Sequence, residues 1–367
     1  MKRFLLIALL ALLGAVSCMR MEQAGKAVDC CEMQINFRTG ALQTKGGTGD
    51  GNVSDGGGIY IDNGVPDLVI LIVNSSDNVV GVYPDPNPGV DVESTLESIA
   101  DATSMRVKFT GLNEGTYSVY AFANTEGYWP MSGQGTATSR NYLAGLTTKS
   151  AIESLKFADL FASVPESVCP NDDDNLPERL PLSAKGTVIV SSLHTGEVTL
   201  AMKRCVAKVT AEFVNNTAEE LTLYDYTSTI VRMCPNSGFV IEGSPKDYPD
   251  GTLAGNITTS ESSLVIPAVD PIDSSKPGSI SKSWYVFPSS GPYTCDFGFT
   301  LFKGDPTEHV YTYSNLPVHD DHAVSIPSLD RNRHLHIVTK ISKGTTVSFN
   351  FEVGGWGDPI VEQVMFD

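Results

Sequence analysis

Apolar and polar positions along this chain alternate mostly with a period of two, the signature of half-buried strands. Met33-Gln34-Ile35-Asn36-Phe37 is one such segment. Met105, Val107 and Phe109 alternate with Arg106, Lys108 and Thr110. A turn over Gly111 to Gly115 then leads into a strand over Tyr117 to Ala123. The cleanest alternation sets Val347, Phe349, Phe351 and Val353 against Ser348, Asn350 and Glu352. Leu68 to Val73 is an unbroken apolar run, which predicts a central strand covered on both faces. Further strands are expected over Leu221 to Leu223, Gly238 to Ile241, Trp284 to Phe287, Phe297 to Phe302 and Leu335 to Ile341. Helical spacing is rare. Val92, Leu96 and Ile99 suggest one short helix, and Ser150 to Phe161 a second, with Ile152, Leu155 and Leu160 on roughly one face.

The phase of the alternation reverses once. Val198, Leu200 and Met202 share one phase, whereas Cys205, Ala207, Val209, Ala211 and Phe213 share the opposite one. A one-residue slip turns side chains to the other face, so a bulge or a passage between sheets is expected near Lys203-Arg204. A domain boundary is placed there. Many short strands, Gly/Pro turns and few helices predict an all-β chain of two β-sandwich domains with one or two short helices. A length of 367 residues accommodates both. Residues 19–32 read as a polar linker, and Cys169 to Pro181 as a Pro/Asp/Asn loop. Gly46 to Gly58 lacks the apolar residues to pack and reads as a mobile loop.

The N-terminus changes the picture from a globular chain to an exported one. Met1-Lys2-Arg3 is basic, and Phe4 to Val16 is apolar but too short to span a bilayer. Ser17 and Cys18 follow, the arrangement of a lipoprotein signal in which Cys18 takes the lipid and becomes the first residue. Ala15 stands where Leu is expected in the strictest form of that signal. Without Lys2 and Arg3 the chain keeps 23 basic against 43 acidic residues, a charge that repels nucleic acid and anionic surfaces. Nucleic-acid partners are therefore excluded. With Cys18 lipidated, Cys30, Cys31, Cys169, Cys205, Cys234 and Cys295 remain. Disulfides are permitted in an exported chain, but no pairing is specified. Cys205, in an apolar strand, reads as a small buried hydrophobe.

Catalytic chemistry is not apparent. There is no GxSxG, P-loop or GxGxxG motif. His319-Asp320-Asp321-His322 reads as a solvated turn between prolines, and His334 and His336 as an exposed pair on one strand face. Asp50, Asn52 and Asp55 lack the remaining ligands of an EF-hand. No cofactor, no metal and no catalytic residue is expected. Tyr128-Trp129 is the candidate platform if the chain is instead a lipid-anchored glycan- or protein-binding module.

Several motifs together resemble the FimA-like fimbrillins, lipoprotein-derived pilins of the Bacteroidetes. They are the lipoprotein signal followed by the strand Met33 to Phe37, the basic Lys45, and the apolar strand Asp67 to Val73. Gly115 to Asn124 (GTYSVYAFAN), Pro130 to Gly133, and Leu200 to Val209 with Arg204 and Lys208 continue the series. Ser283 to Phe287, Arg331 to Leu335 and Val353 to Trp356 complete it. The resemblance implies two transthyretin-like sandwiches in a subunit of a cell-surface fimbria that supports adhesion. It also implies a lipid anchor in the outer membrane and a trypsin-like maturation protease. That protease removes the first strand, and a strand from a neighbouring copy or another pilus subunit fills the gap. The corresponding segments are a signal peptide over 1–17, a pro-segment over 18–45, and domains over 46–203 and 204–367. Met33, Ile35 and Phe37 form the strand to be displaced, with cleavage after Lys45 or alternatively Arg38. Well-known relatives are cut after Arg, so Lys45 is a departure. An uncut chain would instead serve as a basal anchor. The tail Pro359 to Asp367 is the candidate donor strand. Ile360, Val361, Val364, Met365 and Phe366 are its apolar residues, and Gly354-Gly355-Trp356-Gly357 is its hinge.

Overall fold

A computed structural model describes residues 31–39, 61–62, 65–85, 92–101, 104–125, 139–156, 180–224, 238, 240–243, 263–270, 277–286, 288, 297–303, 309–316, 330–342 and 347–355. The alternating segments fold as strands. The first half holds β1 (Cys31–Thr39), β2 (Ile61–Asp62), β3 (Val65–Pro66), β4 (Leu68–Val73), β5 (Val79–Tyr83), β6 (Glu93–Asp101), β7 (Ser104–Leu112), β8 (Gly115–Ala123), β9 (Leu182–Val190) and β10 (Gly196–Arg204). Two short helices, α1 (Ser139–Ala144) and α2 (Lys149–Glu153), lie between β8 and β9 in the chain. The second half holds β11 (Ala207–Asn215), β12 (Leu221–Tyr224), β13 (Ser263–Ile266), β14 (Gly278–Val286), β15 (Phe297–Lys303), β16 (His309–Leu316), β17 (Arg333–Ile341) and β18 (Val347–Gly355).

Eight strands of the first half are hydrogen-bonded in the order β5-β4-β8-β9-β10-β1-β7-β6. The ladder between β9 and β10 consists of only two pairs, Ser183 with Lys203 and Leu182 with Arg204. The ribbon folds over at this narrow joint, so its two four-stranded halves face one another. One core cluster accordingly joins Leu68, Ile70 and Ile72 of β4 to Ile35 and Phe37 of β1 and to Val107 and Phe109 of β7. The two ends of the ribbon also meet. The Ser94 hydroxyl on β6 donates to the Val82 carbonyl on β5 at 2.8 Å. At Gly81 the layers come so close that a Cβ would stand 3.0 Å from the Val92 side chain and 3.3 Å from the Phe109 ring.

The run Leu68 to Val73 is buried on both faces, as its composition predicts. Its second face, Val69, Leu71 and Val73, packs with Tyr120, Phe122, Leu143, Ile152, Val240 and Ile241. Helix α2 starts at an N-cap, where the Thr148 hydroxyl accepts from the Ala151 amide. It ends at Glu153, well short of the span expected to reach Phe161, and residues 157–161 lie outside the described ones. The Leu155 carbonyl accepts from the Val240 amide at 2.9 Å instead of continuing a helix. Val240 and Ile241, expected in a strand, form a bend that covers the outer face of β4.

The helix expected from Val92, Leu96 and Ile99 is not formed; these residues lead into and occupy β6. Leu96 stands opposite Val107 and Ile99 opposite Met105, with a register shift between Leu96 and Ser98. A bulge thus absorbs one residue and gives a strand the three-residue spacing of a helix face.

The second half forms two four-stranded sheets, β14-β11-β17-β18 and β13-β12-β15-β16. The phase reversal corresponds to the passage from β10 in the first assembly to β11 in these sheets, through buried Cys205 and Val206. Two buried arginines reach across this passage in opposite directions. Arg204, ending β10, donates to the Asn332 side-chain oxygen at 3.0 Å. Arg331, ahead of β17, donates to the Val240 carbonyl at 3.0 Å and to the Ser183 hydroxyl at 3.4 Å. The Asn332 amide donates to the Val206 carbonyl at 2.9 Å.

Candidate functional site

The strand that the resemblance marks for displacement is an inner strand. β1 runs parallel to β10, from Met33 opposite Gly196 to Thr39 opposite Met202. On its other side it runs antiparallel to β7, with Ile35 opposite Val107 and Phe37 opposite Met105. Alternation sends Met33, Ile35 and Phe37 inward, where they are fully buried. Cys31 is a fourth inward residue of the same series, which its two-residue offset from Met33 could have signalled. The slot they fill is walled by Met105, Val107 and Phe109 of β7 and by Val198, Leu200 and Met202 of β10.

The outward face of β1 is polar and paired. Glu32 meets Lys108 at 2.8 Å, and the Asn36 side-chain oxygen accepts from Arg106 at 2.9 Å. The Glu32 hydrogen bond pushes the Lys108 ammonium above its ordinary range. Both contacts are solvent-facing and contribute at most about 1 kcal/mol each. The inward face decides the energetics. Burying three side chains of this size is worth about 5–9 kcal/mol as an upper figure. That is comparable with the whole stability of a typical domain, about 5–15 kcal/mol. An empty slot would therefore cost a large share of the fold's stability. Removing β1 would also leave β10 joined to the sheet by its two pairs with β9 alone.

The remaining predicted positions are distributed unevenly. Arg38 lies within the β1 ladder, opposite Ala201 and Ser104, rather than beyond the strand. Cys18, Lys45, Tyr128-Trp129, His319 to His322 and the tail with Ile360, Val361, Val364, Met365 and Phe366 lie outside the described residues. Gly354 and Gly355, expected in a hinge, continue β18 opposite His334 and Arg333. The pairing along that strand holds them in the sheet.

The histidine pair was expected to be exposed, and both residues are instead only partly exposed. His334 Nε2 lies 2.8 Å from the Thr210 hydroxyl, and His336 Nε2 lies 3.0 Å from a Glu212 carboxylate oxygen. The two rings stack with centroids 5.9 Å apart. The His336 hydrogen bond holds the Glu212 carboxyl below its ordinary range, against an opposing push from burial. Cys205 is a buried small residue as expected, its sulfur 3.4 Å from both the Ser183 hydroxyl and the Val240 carbonyl. Among the described residues no three His, Cys, Asp or Glu side chains stand together as a metal cage, and no helix is long and apolar enough to cross a membrane.

Layered sheets with few helices define an all-β protein whose first strand is enclosed between two partners. A candidate cell adhesion protein of Bacteroides eggerthii matches over 90% of this chain and 98% of its own, at 12% identity and a TM-score of 0.50. The tip fimbrial protein Mfa3 of Porphyromonas gingivalis, truncated at its C-terminus, aligns over 89% of this chain and all of its own (12% identity, TM-score 0.48). A fimbrial assembly protein of Parabacteroides distasonis aligns over 90% and 97% respectively (11% identity, TM-score 0.46). No protein-family model and no curated protein matches the sequence.

Proposed function

We propose that this chain is a structural subunit of a cell-surface fimbria that supports adhesion and assembles by strand exchange. Cys18 carries the lipid that holds the precursor in the outer membrane. A trypsin-like protease cuts after Lys45 and frees β1, and a strand from another subunit then occupies the slot between β7 and β10. The observation that carries this reading is the placement of β1. It is the first of the described strands, it is enclosed between two strands, and its inward residues Met33, Ile35 and Phe37 are wholly apolar. A terminal segment of this kind can leave through a single backbone cut, and the slot it vacates is a template for an incoming strand. The similarity in fold to a candidate cell adhesion protein of Bacteroides eggerthii supports the adhesion part of this role. No part of this role calls for catalysis.

One observation favours a second reading, a subunit that keeps β1 and its lipid as a basal anchor. In the tail, one strand phase contains Glu362 and the other Gln363, whereas every inward position of β1 is apolar. The tail is thus a poorer filler of this slot than β1, because a buried unpaired polar group costs free energy. Intact-mass measurement of the subunit in purified fibres separates the two readings. A chain starting at Gly46 supports exchange. A chain starting at lipidated Cys18 makes the protein an anchor and rejects the maturation step.

A further inference from the structure

The slot between β7 and β10 has a polar rim as well as an apolar floor, and β1 matches both. Outward Glu32, Gln34 and Asn36 alternate with the buried residues of β1. Glu32 reaches diagonally to the Lys108 ammonium at 2.8 Å, and the Asn36 side-chain oxygen accepts from the Arg106 guanidinium at 2.9 Å. Both basic residues belong to β7, whose other side is paired to β6, so both cations stay on the wall when β1 leaves. Glu97 of β6 also acts on Lys108 through its charge, but Glu32 makes the hydrogen bond. On the opposite wall, exposed Glu197 of β10 stands across from Gln34. The rim thus meets an acid at position 32, a neutral side chain at 34 and a second oxygen acceptor at 36.

We propose that Lys108 and Arg106 select the strand that enters this slot. The strand they fit is an extended segment of another subunit whose outward face carries an acid, then a neutral residue, then a second side-chain oxygen, in the direction of β1. This rests on the strand-exchange reading above and adds to it the outward face of the partner. Apolar alternation cannot make that choice. Its period is two, so a strand that slips by two residues still turns its apolar face inward. The rim detects such a slip, because moving the acid to the place of Gln34 sets it across from Glu197. A basic residue in the place of Asn36 would stand opposite Arg106, and like charges directly across a strand pair are destabilising. Burial of the inward residues supplies most of the affinity, while the charges on the rim supply register and rejection of wrong strands.

The test is peptide exchange into the full mature chain, carrying Cys18→Ala for solubility. The chain is cut at a specific protease site inserted between Lys45 and Gly46, with β1 still seated. A dye-labelled peptide of residues 31–39, carrying Cys31→Ala, should replace the seated strand, as read by fluorescence anisotropy. The same peptide with Glu32→Lys and Asn36→Lys should bind roughly tenfold more weakly or worse. In a Lys108→Glu/Arg106→Glu chain the preference should invert, and in the parent it should shrink at about 1 M salt. Equal binding of the two peptides, or rejection of the basic peptide by both chains alike, would overturn the selection and leave strand exchange standing. Entry of neither peptide would overturn strand exchange itself and this selection with it.

Discussion

Phe37 fills the inner slot beside Met105, and truncating it leaves a void among residues that cannot all collapse. Phe37→Ala should destabilise the uncut chain by about 3–5 kcal/mol, and Ile35→Val by about 0.5–1.5 kcal/mol, in denaturant titrations. Substitutions at outward Asn36 should stay within about 1 kcal/mol. Glu212 carries a pH signature. Its folded-state pKa is depressed chiefly by the His336 hydrogen bond, so the contact stabilises above the ordinary value of 4.5 and is lost as pH falls through the folded value. The stability gap between the parent and Glu212→Gln should therefore be full near neutrality and shrink below about pH 4.5, as read from denaturation midpoints across pH. At this scale alternation made Met33, Ile35, Phe37 and the buried state of Cys205 legible in the sequence. It did not reveal that Arg204 and Arg331 cross between the two halves of the chain. Those partners, Asn332 and Ser183, are 128 and 148 residues away, and nothing local to either arginine marks them.

Strands were the easiest elements to read, and the errors fall where a ladder is irregular. Leu96 and Ile99 imitate a helix face because a bulge lies between them. Val240 and Ile241 imitate a strand, yet they are buried because they cover a sheet rather than join it. Gly354 and Gly355 read as a hinge by composition, yet their neighbours on β17 keep them paired. Pairing also bears on processing. The Arg38–Thr39 bond belongs to a ladder with strands on both sides, and a protease needs an extended, unpaired segment. Limited trypsin digestion of the folded, uncut chain should leave this bond intact while cutting after Lys45. Early appearance of a fragment beginning at Thr39 would show that β1 frays in the native state.

For the molecule as a whole, the folded-over eight-stranded ribbon places β1 inside one of its halves, where it ties β10 to β7. The ladder of β9 with β10 has only two pairs, so β1 supplies most of the backbone pairing that holds β10 in the sheet. This arrangement was only partly legible in the sequence, since hydrophobic periodicity gives the faces of strands and not their neighbours. Strand order came from the ladders, and the parallel pairing of β1 with β10 spans more than 150 residues of chain. Deleting Ile360 to Asp367 should leave a folded monomer that no longer polymerises, as judged by circular dichroism and electron microscopy. Unfolding of the truncated chain would instead assign the tail to its own domain's core.

Strand exchange turns on which strand lies between β7 and β10 in an assembled fibre. A density map of fibres at side-chain detail reads this directly. Strand exchange predicts that the slot holds a segment of a neighbouring subunit, with the tail from Ile360 to Phe366 as the expected donor and Met33 to Phe37 gone. A slot still filled by the subunit's own Met33, Ile35 and Phe37 in polymerised copies would contradict it.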